Sequence, residues 1–256
     1  MTSKSPGEER KEKMNNKGRL FLIPSPLGDN DPKEVIPEGV LSILPVISTY
    51  VVEATRTARR YLSSAGLKGH IQDLDFHELN EHTKPEEVEN LLSLFDNGND
   101  VGLITEAGLP AVADPGSQLV RLCHRNGIEV VPCSGPSSLM LALMASGLNG
   151  QSFAFLGYIP AKTDERRQML KNIEKHSASA KQTKIFIETP YRNDSLFADI
   201  LSICQGSTEL CIAADITMPD AYIMTHTVAE WKRELAKADG KPIIGKRPCV
   251  FLILAR

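Results

Sequence analysis

No two cysteines in this sequence stand at Cys-x-x-Cys spacing. The five, at positions 123, 133, 204, 211 and 249, are scattered, odd in number and set among apolar neighbours. That pattern reads as reduced, buried thiols of a cytoplasmic protein and speaks against a metal centre. His70, His77 and His82 cluster loosely, without the spacing that metal ligands need, and His124, His176 and His226 are isolated. An excess of basic residues is also missing. With 29 Lys and Arg against 32 Asp and Glu, the net charge is −3, so no overall field draws the chain onto nucleic acid, and an RNA contact would need a local patch. No apolar stretch is long enough to span a bilayer. The first 18 residues, rich in Lys and Glu, have no apolar core and read as a disordered tail rather than a signal peptide or anchor. No glycine-rich loop is followed by the lysine of a Walker phosphate loop, and neither a Gly-x-Gly-x-x-Gly fingerprint nor a Gly-x-Ser-x-Gly elbow occurs.

What the chain has instead is two loops rich in Gly and Pro, Pro24 to Asn30 and Thr105 to Gly116. Each follows an apolar run that reads as a buried parallel strand, Arg19 to Ile23 and Val101 to Ile104. Loops at the carboxyl ends of such strands are where open α/β sheets bind ligands. Glycine lets backbone approach a ligand, and proline holds the loop in one shape.

Strand-like and helix-like runs alternate through the first half. Ser48 to Val52 reads as a strand, Thr55 to Ala65 as a helix, and Lys84 to Asn97 as an amphipathic helix. Ser117 to Asn126 is a helix before a strand at Ile128 to Pro132. This βα cadence predicts a parallel sheet with helices on both faces. Pro136 to Ser146 reads as a helix with Ser134 as N-cap and, from its nearly continuous apolar face, as buried. From Gly150 onward strands come without strict alternation: Phe153 to Leu156, Thr183 to Glu188, Glu209 to Asp215, Ala221 to Thr227 and Cys249 to Leu254. The fold class is therefore α/β, with a parallel-sheet domain over 19–135 and a mixed-sheet α+β domain over 136–256.

Six motifs then fall in order: Pro-Leu-Gly-Asp-Asn at 26–30, Glu-Ala-Thr-Arg at 53–56, Phe-His-Glu-Leu-Asn-Glu at 76–81, Glu-Ala-Gly-Leu-Pro with Asp-Pro-Gly at 106–116, Ser-Gly-Pro-Ser-Ser at 134–138 and Glu-Thr-Pro-Tyr-Arg at 188–192. Together they resemble the tetrapyrrole (corrin/porphyrin) methylase superfamily. Within it they look most like the ribosomal RNA branch, which methylates a cytidine of the small subunit at its 2′-oxygen. The resemblance implies S-adenosylmethionine as methyl donor, held in a cleft between two α/β domains of a homodimeric enzyme. Glu106, Ala54 and Tyr191 depart from the residues common in the RNA branch. Methylation of a tetrapyrrole or other small substrate, or cofactor binding without catalysis, are the alternative readings.

Residue by residue, Pro26, Leu27 and Gly28 are expected to line the floor of the cofactor site, Leu27 by resemblance. Thr105, Glu106, Ala107, Gly108 and Leu109 form its second loop, and the resemblance places the Glu106 carboxylate near the cofactor's amino group. Ser137 and Ser138 lie in a helix first turn, whose free N–H groups suit a carboxylate or ribose oxygens. By resemblance, Glu188 and Ile216 touch the adenosine half, largely through backbone. Arg56, His77, Asn80 and Arg192 are candidates for holding substrate, and Glu53 is the candidate base. Asp114 reads as a helix cap. Lys162, Arg166, Arg167 and Lys171 form a basic run, either a phosphate-tracking face or an ordinary charged helix surface.

Overall fold

The computed structural model describes residues 17–238 and 242–256. The tail expected over 1–18 lies outside the described residues except for its last two. Of these, Lys17 pairs with Asp96, and the Gly18 N–H donates to the Phe95 carbonyl at 2.8 Å. The chain divides into two units, the first ending at Pro136 and the second running from Ser137 to Arg256.

The first unit is a five-stranded parallel sheet. Its strands are β1 (Leu20–Leu22), β2 (Thr49–Val52), β3 (Asp75–Glu78), β4 (Val101–Ile104) and β5 (Val130–Pro132), in the order β3-β2-β4-β1-β5. Strands β2 and β4 are buried along their whole length, as the apolar runs predict for a sheet covered on both faces. Phe21, Ile23, Tyr50, Val52 and Ile104 point into one core with the segment around Ile36–Ile47 and helix α1 (Thr55–Leu62). Leu20, Val51, Val101 and Leu103 point into the other, with helices α2 (Pro85–Asn90) and α3 (Ser117–Arg125). Gly102 is required where the sheet is tightest. A Cβ there would sit 2.8 Å from both Ile23 Cδ1 and the Tyr50 ring.

One helix of this unit differs from expectation. The run predicted as one helix over 84–97 is α-helical only to Asn90. It then tightens into 3₁₀ turns and breaks at Asp96 and Asn97, the latter at φ 59°. Strand β3 runs into the polar motif at 76–81. It is an edge strand with Asp75 and Glu78 exposed, so it lacks the apolar run that marks its neighbours.

The second unit is a mixed sheet in the order β6-β7-β10-β8-β9, formed by β6 (Phe153–Tyr158), β7 (Thr183–Ile187), β8 (Glu209–Ala214), β9 (Tyr222–Thr227) and β10 (Cys249–Leu254). Only the β6–β7 pair is parallel. Helix α4 (Ser138–Ser146) packs on one face against β8, β9 and β10. Helices α5 (Thr163–Ala180), α6 (Asn193–Ile203) and α7 (Val228–Lys237) cover the other, around Phe186, Leu210, Phe251 and Trp231. The N-cap of α4 is Ser137, not Ser134, so Pro136 precedes the cap. Nor is α4 buried all round. Met140 and Met144 are 50% and 77% exposed, because only the Leu139–Ala142–Leu143 side meets the sheet. Among the described residues no helix is long and apolar enough to cross a membrane.

Candidate active site

In the first sheet the chain leaves β1 toward β2 on one side and β4 toward β5 on the other. The carboxyl ends of these neighbouring strands are therefore a topological switch point, where ligands bind in open α/β sheets. The two predicted loops begin there and are stitched to one another. Ser25 and Gly108 exchange both backbone hydrogen bonds, at 2.9 and 3.1 Å, and the buried Ser25 hydroxyl donates to the Thr105 carbonyl at 3.0 Å. Gly108 has φ 76°, and a Cβ there would meet Leu27 at 3.1 Å, so the loops approach at a point only glycine fits. Behind them the buried Tyr61 of α1 donates its hydroxyl to the Pro24 carbonyl at 2.9 Å. Gly135 closes on the same proline, with space for no Cβ: one would lie 2.2 Å from Pro24 Cβ.

Glu53, one residue past β2, joins this arrangement. One of its carboxylate oxygens accepts the Glu106 N–H at 3.1 Å, fixing the second loop to the end of β2. Burial raises the Glu53 carboxyl above its ordinary range. The Glu106 N–H opposes that rise, and the charges of Glu106 and Glu81 add to it. Asp114 belongs to the same group. Burial pushes it up to about 6, opposed by Thr105 and aided by Glu53 and Glu106. Asp114 does not cap the following helix. That position is Gly116, with no side-chain cap. Three carboxyl groups thus crowd the switch point and create a negative potential suited to a cationic group. Ala111 and Ala113, in the same loop, have φ of 63° and 65°, a conformation alanine rarely adopts.

Pro26, Leu27, Gly28, Glu53, Thr105, Glu106, Ala107 and Gly108 therefore gather in one place, with Leu109 next in the loop. Arg56 projects from the first turn of α1, beside Thr55, whose N–H and hydroxyl both donate to Glu78 at 3.1 and 2.8 Å. His77 and Asn80 have local partners. His77 Nε2 lies 2.7 Å from Asp75, and the Asn80 side chain accepts the His82 N–H in the turn after β3. A cavity of about 350 Å³ opens beside the first loop. Arg60, Tyr61 and Ser64 of the segment beginning at α1 line one side, Asp29 and Glu106 another. Sequence reasoning offered neither Arg60 nor Tyr61 as a site residue. The available signal was the helical spacing of 57, 60, 61 and 64.

The second unit carries the remaining candidates. The Ser137 hydroxyl accepts the Met140 N–H at 3.5 Å, and Ser138 opens α4. Glu188, just past β7, has a fully buried side chain. One carboxylate oxygen accepts from the Thr189 N–H and from Arg192, while the other has no hydrogen-bond partner. Arg192 Nε and Asn193 Oδ1 are likewise buried and unpartnered. A buried carboxylate oxygen with no donor is costly, and a hydroxyl-bearing ligand would relieve it. Ile216 is buried between Asp215 and Thr217, both at positive φ. Of the basic run, three members have acidic partners and Lys171 is exposed. Arg166 and Arg167 both bind the buried Asp199 at 2.7 Å, and Lys162 pairs with Glu165 at 3.1 Å.

Comparison with known proteins agrees with this geometry. The family model for Tetrapyrrole (Corrin/Porphyrin) Methylases matches residues 43–232. Ribosomal RNA small subunit methyltransferase I of Escherichia coli O157:H7 is 32% identical over 203 residues, covering 79% of this chain and 67% of that protein. The protein of the same name from Thermotoga maritima is 33% identical over 200 residues, covering 78% and 84%. In fold the chain is similar to uroporphyrin-III C-methyltransferase from Thermus thermophilus complexed with S-adenyl homocysteine. That similarity has a TM-score of 0.52 at 17% identity and covers 93% of this chain and 97% of the other.

Proposed function

The chain belongs to the tetrapyrrole (corrin/porphyrin) methylase family, and from that premise we infer that it transfers the methyl group of S-adenosylmethionine to small-subunit ribosomal RNA, at a ribose 2′-oxygen. The observation that carries the reading is the stitched pair of loops at the switch point, with Glu53 bound to the Glu106 N–H.

The residues present fit the cofactor. When bound, it supplies a methyl group on a positively charged sulfur, open to in-line displacement by a positioned nucleophile. Glu53, Glu106 and Asp114 supply negative potential for its cationic groups, with Glu106 facing the amino group. Pro26, Leu27, Gly28, Ala107 and Gly108 give close backbone approach, with Thr105 and Leu109 completing that loop. In the second unit, the α4 N-terminus with Ser137 and Ser138 offers N–H groups to an anion. The unpartnered Glu188 oxygen suits a ribose hydroxyl, and Ile216 offers an apolar surface for a base.

On the substrate side, Glu53 takes the proton that a ribose hydroxyl loses as its oxygen is methylated. Its raised pKa makes it a better acceptor than an ordinary carboxylate. Arg56 is assigned to substrate phosphate. His77, Asn80 and Arg192 are assigned to substrate beside the local partners they hold. The reading extends to a cytoplasmic homodimer. The uncharged α4, with Met140 and Met144 turned outward, is an apolar surface available to a second copy, and sedimentation tests the dimer.

Labelled methyl transfer to small ribosomal subunits tests the function. The expected product carries label in one nucleotide whose 3′ linkage resists alkali. Cofactor binding with transfer to a tetrapyrrole and not to RNA would move the assignment to small-molecule methylation. Calorimetry showing no cofactor binding would overturn both.

A further inference from the structure

Helix α1 carries arginines at 56, 59 and 60, within one arc of its surface, and all three are exposed. Among the described residues none of them pairs with a carboxylate. That sets them apart from the arginines of α5, which are committed to Asp199. The Arg59 guanidinium carbon lies over the Phe76 ring, 5.2 Å from its centroid, a cation–π contact that holds the side chain in place. In a chain of net charge −3, such a row is the kind of local patch an RNA contact requires.

The row ends at the cavity beside the first loop. Its volume of about 350 Å³ is at the small end of the range for ligand pockets, enough for a single nucleoside and too little for paired strands. Its walls differ in character. Arg60 stands on the α1 side with the hydroxyl residues Thr57 and Ser64, and Asp29 and Glu106 stand on the loop side. The floor is held by the Tyr61 hydroxyl on the Pro24 carbonyl.

We propose that this cavity receives one nucleotide of the RNA substrate, splayed out of its strand, with Arg60 on its phosphate and Arg56 and Arg59 on the neighbouring phosphates along α1. The Asp29 carboxylate on the loop side accepts from an exocyclic amine of the base, which fixes the nucleotide's direction, while Glu106 stays with the cofactor. This inference rests on the RNA reading above and names where that substrate sits.

The test is binding of fluorescent oligocytidylate and oligouridylate across a salt series, beside cofactor calorimetry and methyl transfer to small ribosomal subunits. Arg60→Ala is expected to weaken oligonucleotide binding on the order of tenfold and to lower the log–log salt slope by about 1, and Arg56→Ala with Arg60→Ala to lower it by about 2. Cofactor affinity stays unchanged. Arg60→Gln, which keeps length and hydrogen bonding without charge, gives the same slope loss and serves should the alanine variant fail to fold. Arg233→Ala on α7 changes neither. Oligocytidylate binds more tightly than oligouridylate, which lacks the amine.

A wild-type protein that methylates subunits, with α1 variants of unaltered affinity and slope, would overturn the nucleotide site and leave the function standing. Equal binding of the two oligonucleotides would overturn the assigned direction. A wild-type protein that binds cofactor but neither binds RNA nor methylates subunits would overturn the function and this inference together.

Discussion

The two units use their charged residues in opposite ways. In the second, the prominent buried charges answer one another. Arg166 and Arg167 clamp Asp199, which they hold below the usual carboxylate range against the burial that would raise it. Glu174 takes the Gln205 N–H and the Thr208 hydroxyl, and Arg192 sits on Glu188. In the first, acids gather with acids at the strand ends and arginines stand unpaired on α1. Like charges held together at strand ends are characteristic of functional sites, so the contrast separates a braced frame from a surface suited to partners.

Breaking the brace should have the largest effect. Asp199→Ala leaves the Arg166 guanidinium, 7% exposed, buried without a counter-ion, and urea unfolding should show a loss of about 3–5 kcal/mol. Glu53→Gln tests the prepared surface. It should lower kcat about 100-fold or more, with a much smaller loss of cofactor affinity in calorimetry. A comparable fall in stability with kcat preserved would move Glu53 to the frame. Gly135→Ala drives a methyl into Pro24 and should cost about 1–3 kcal/mol of stability while weakening cofactor binding, a coupling absent from substitutions in α7.

The smallest effect sharpens the comparison by sign. The native state retains the Asp114 proton from its ordinary value of 3.8 up to about 6, so this residue's contribution to stability falls as pH rises through that window and stays lower above it. Asp114→Asn should melt at a higher temperature than wild type above about pH 6 and match it below about pH 3.8. In the second unit, Asp199→Asn should do the reverse at neutral pH.

The parallel frame was legible because β1, β2 and β4 are buried on both faces and so read as unbroken apolar runs. The loops were legible because glycine and proline mark where backbone must turn or close in. Other features are decided by contacts distant in sequence. Whether Arg166 tracks phosphate or holds a helix depends on Asp199, 33 positions away. Glu53's grip on the second loop spans 53 positions. The positive φ values at Ala111, Ala113, Asp215 and Thr217 leave no trace in residue type. Helix α4 misled for another reason. An all-apolar helix reads as buried, yet Met144 is turned outward.

Strand β3 closes one border of the first sheet, and β5 closes the other. An uncapped border is an invitation to aggregate, since its open N–H and C=O groups can recruit a stray chain into cross-β growth. Asp75, His77 and Glu78 put ionisable side chains along one border, and Pro132 removes an amide donor from the other. The polarity of β3 and the proline of β5 are thus devices against edge-to-edge pairing of the five-stranded parallel sheet.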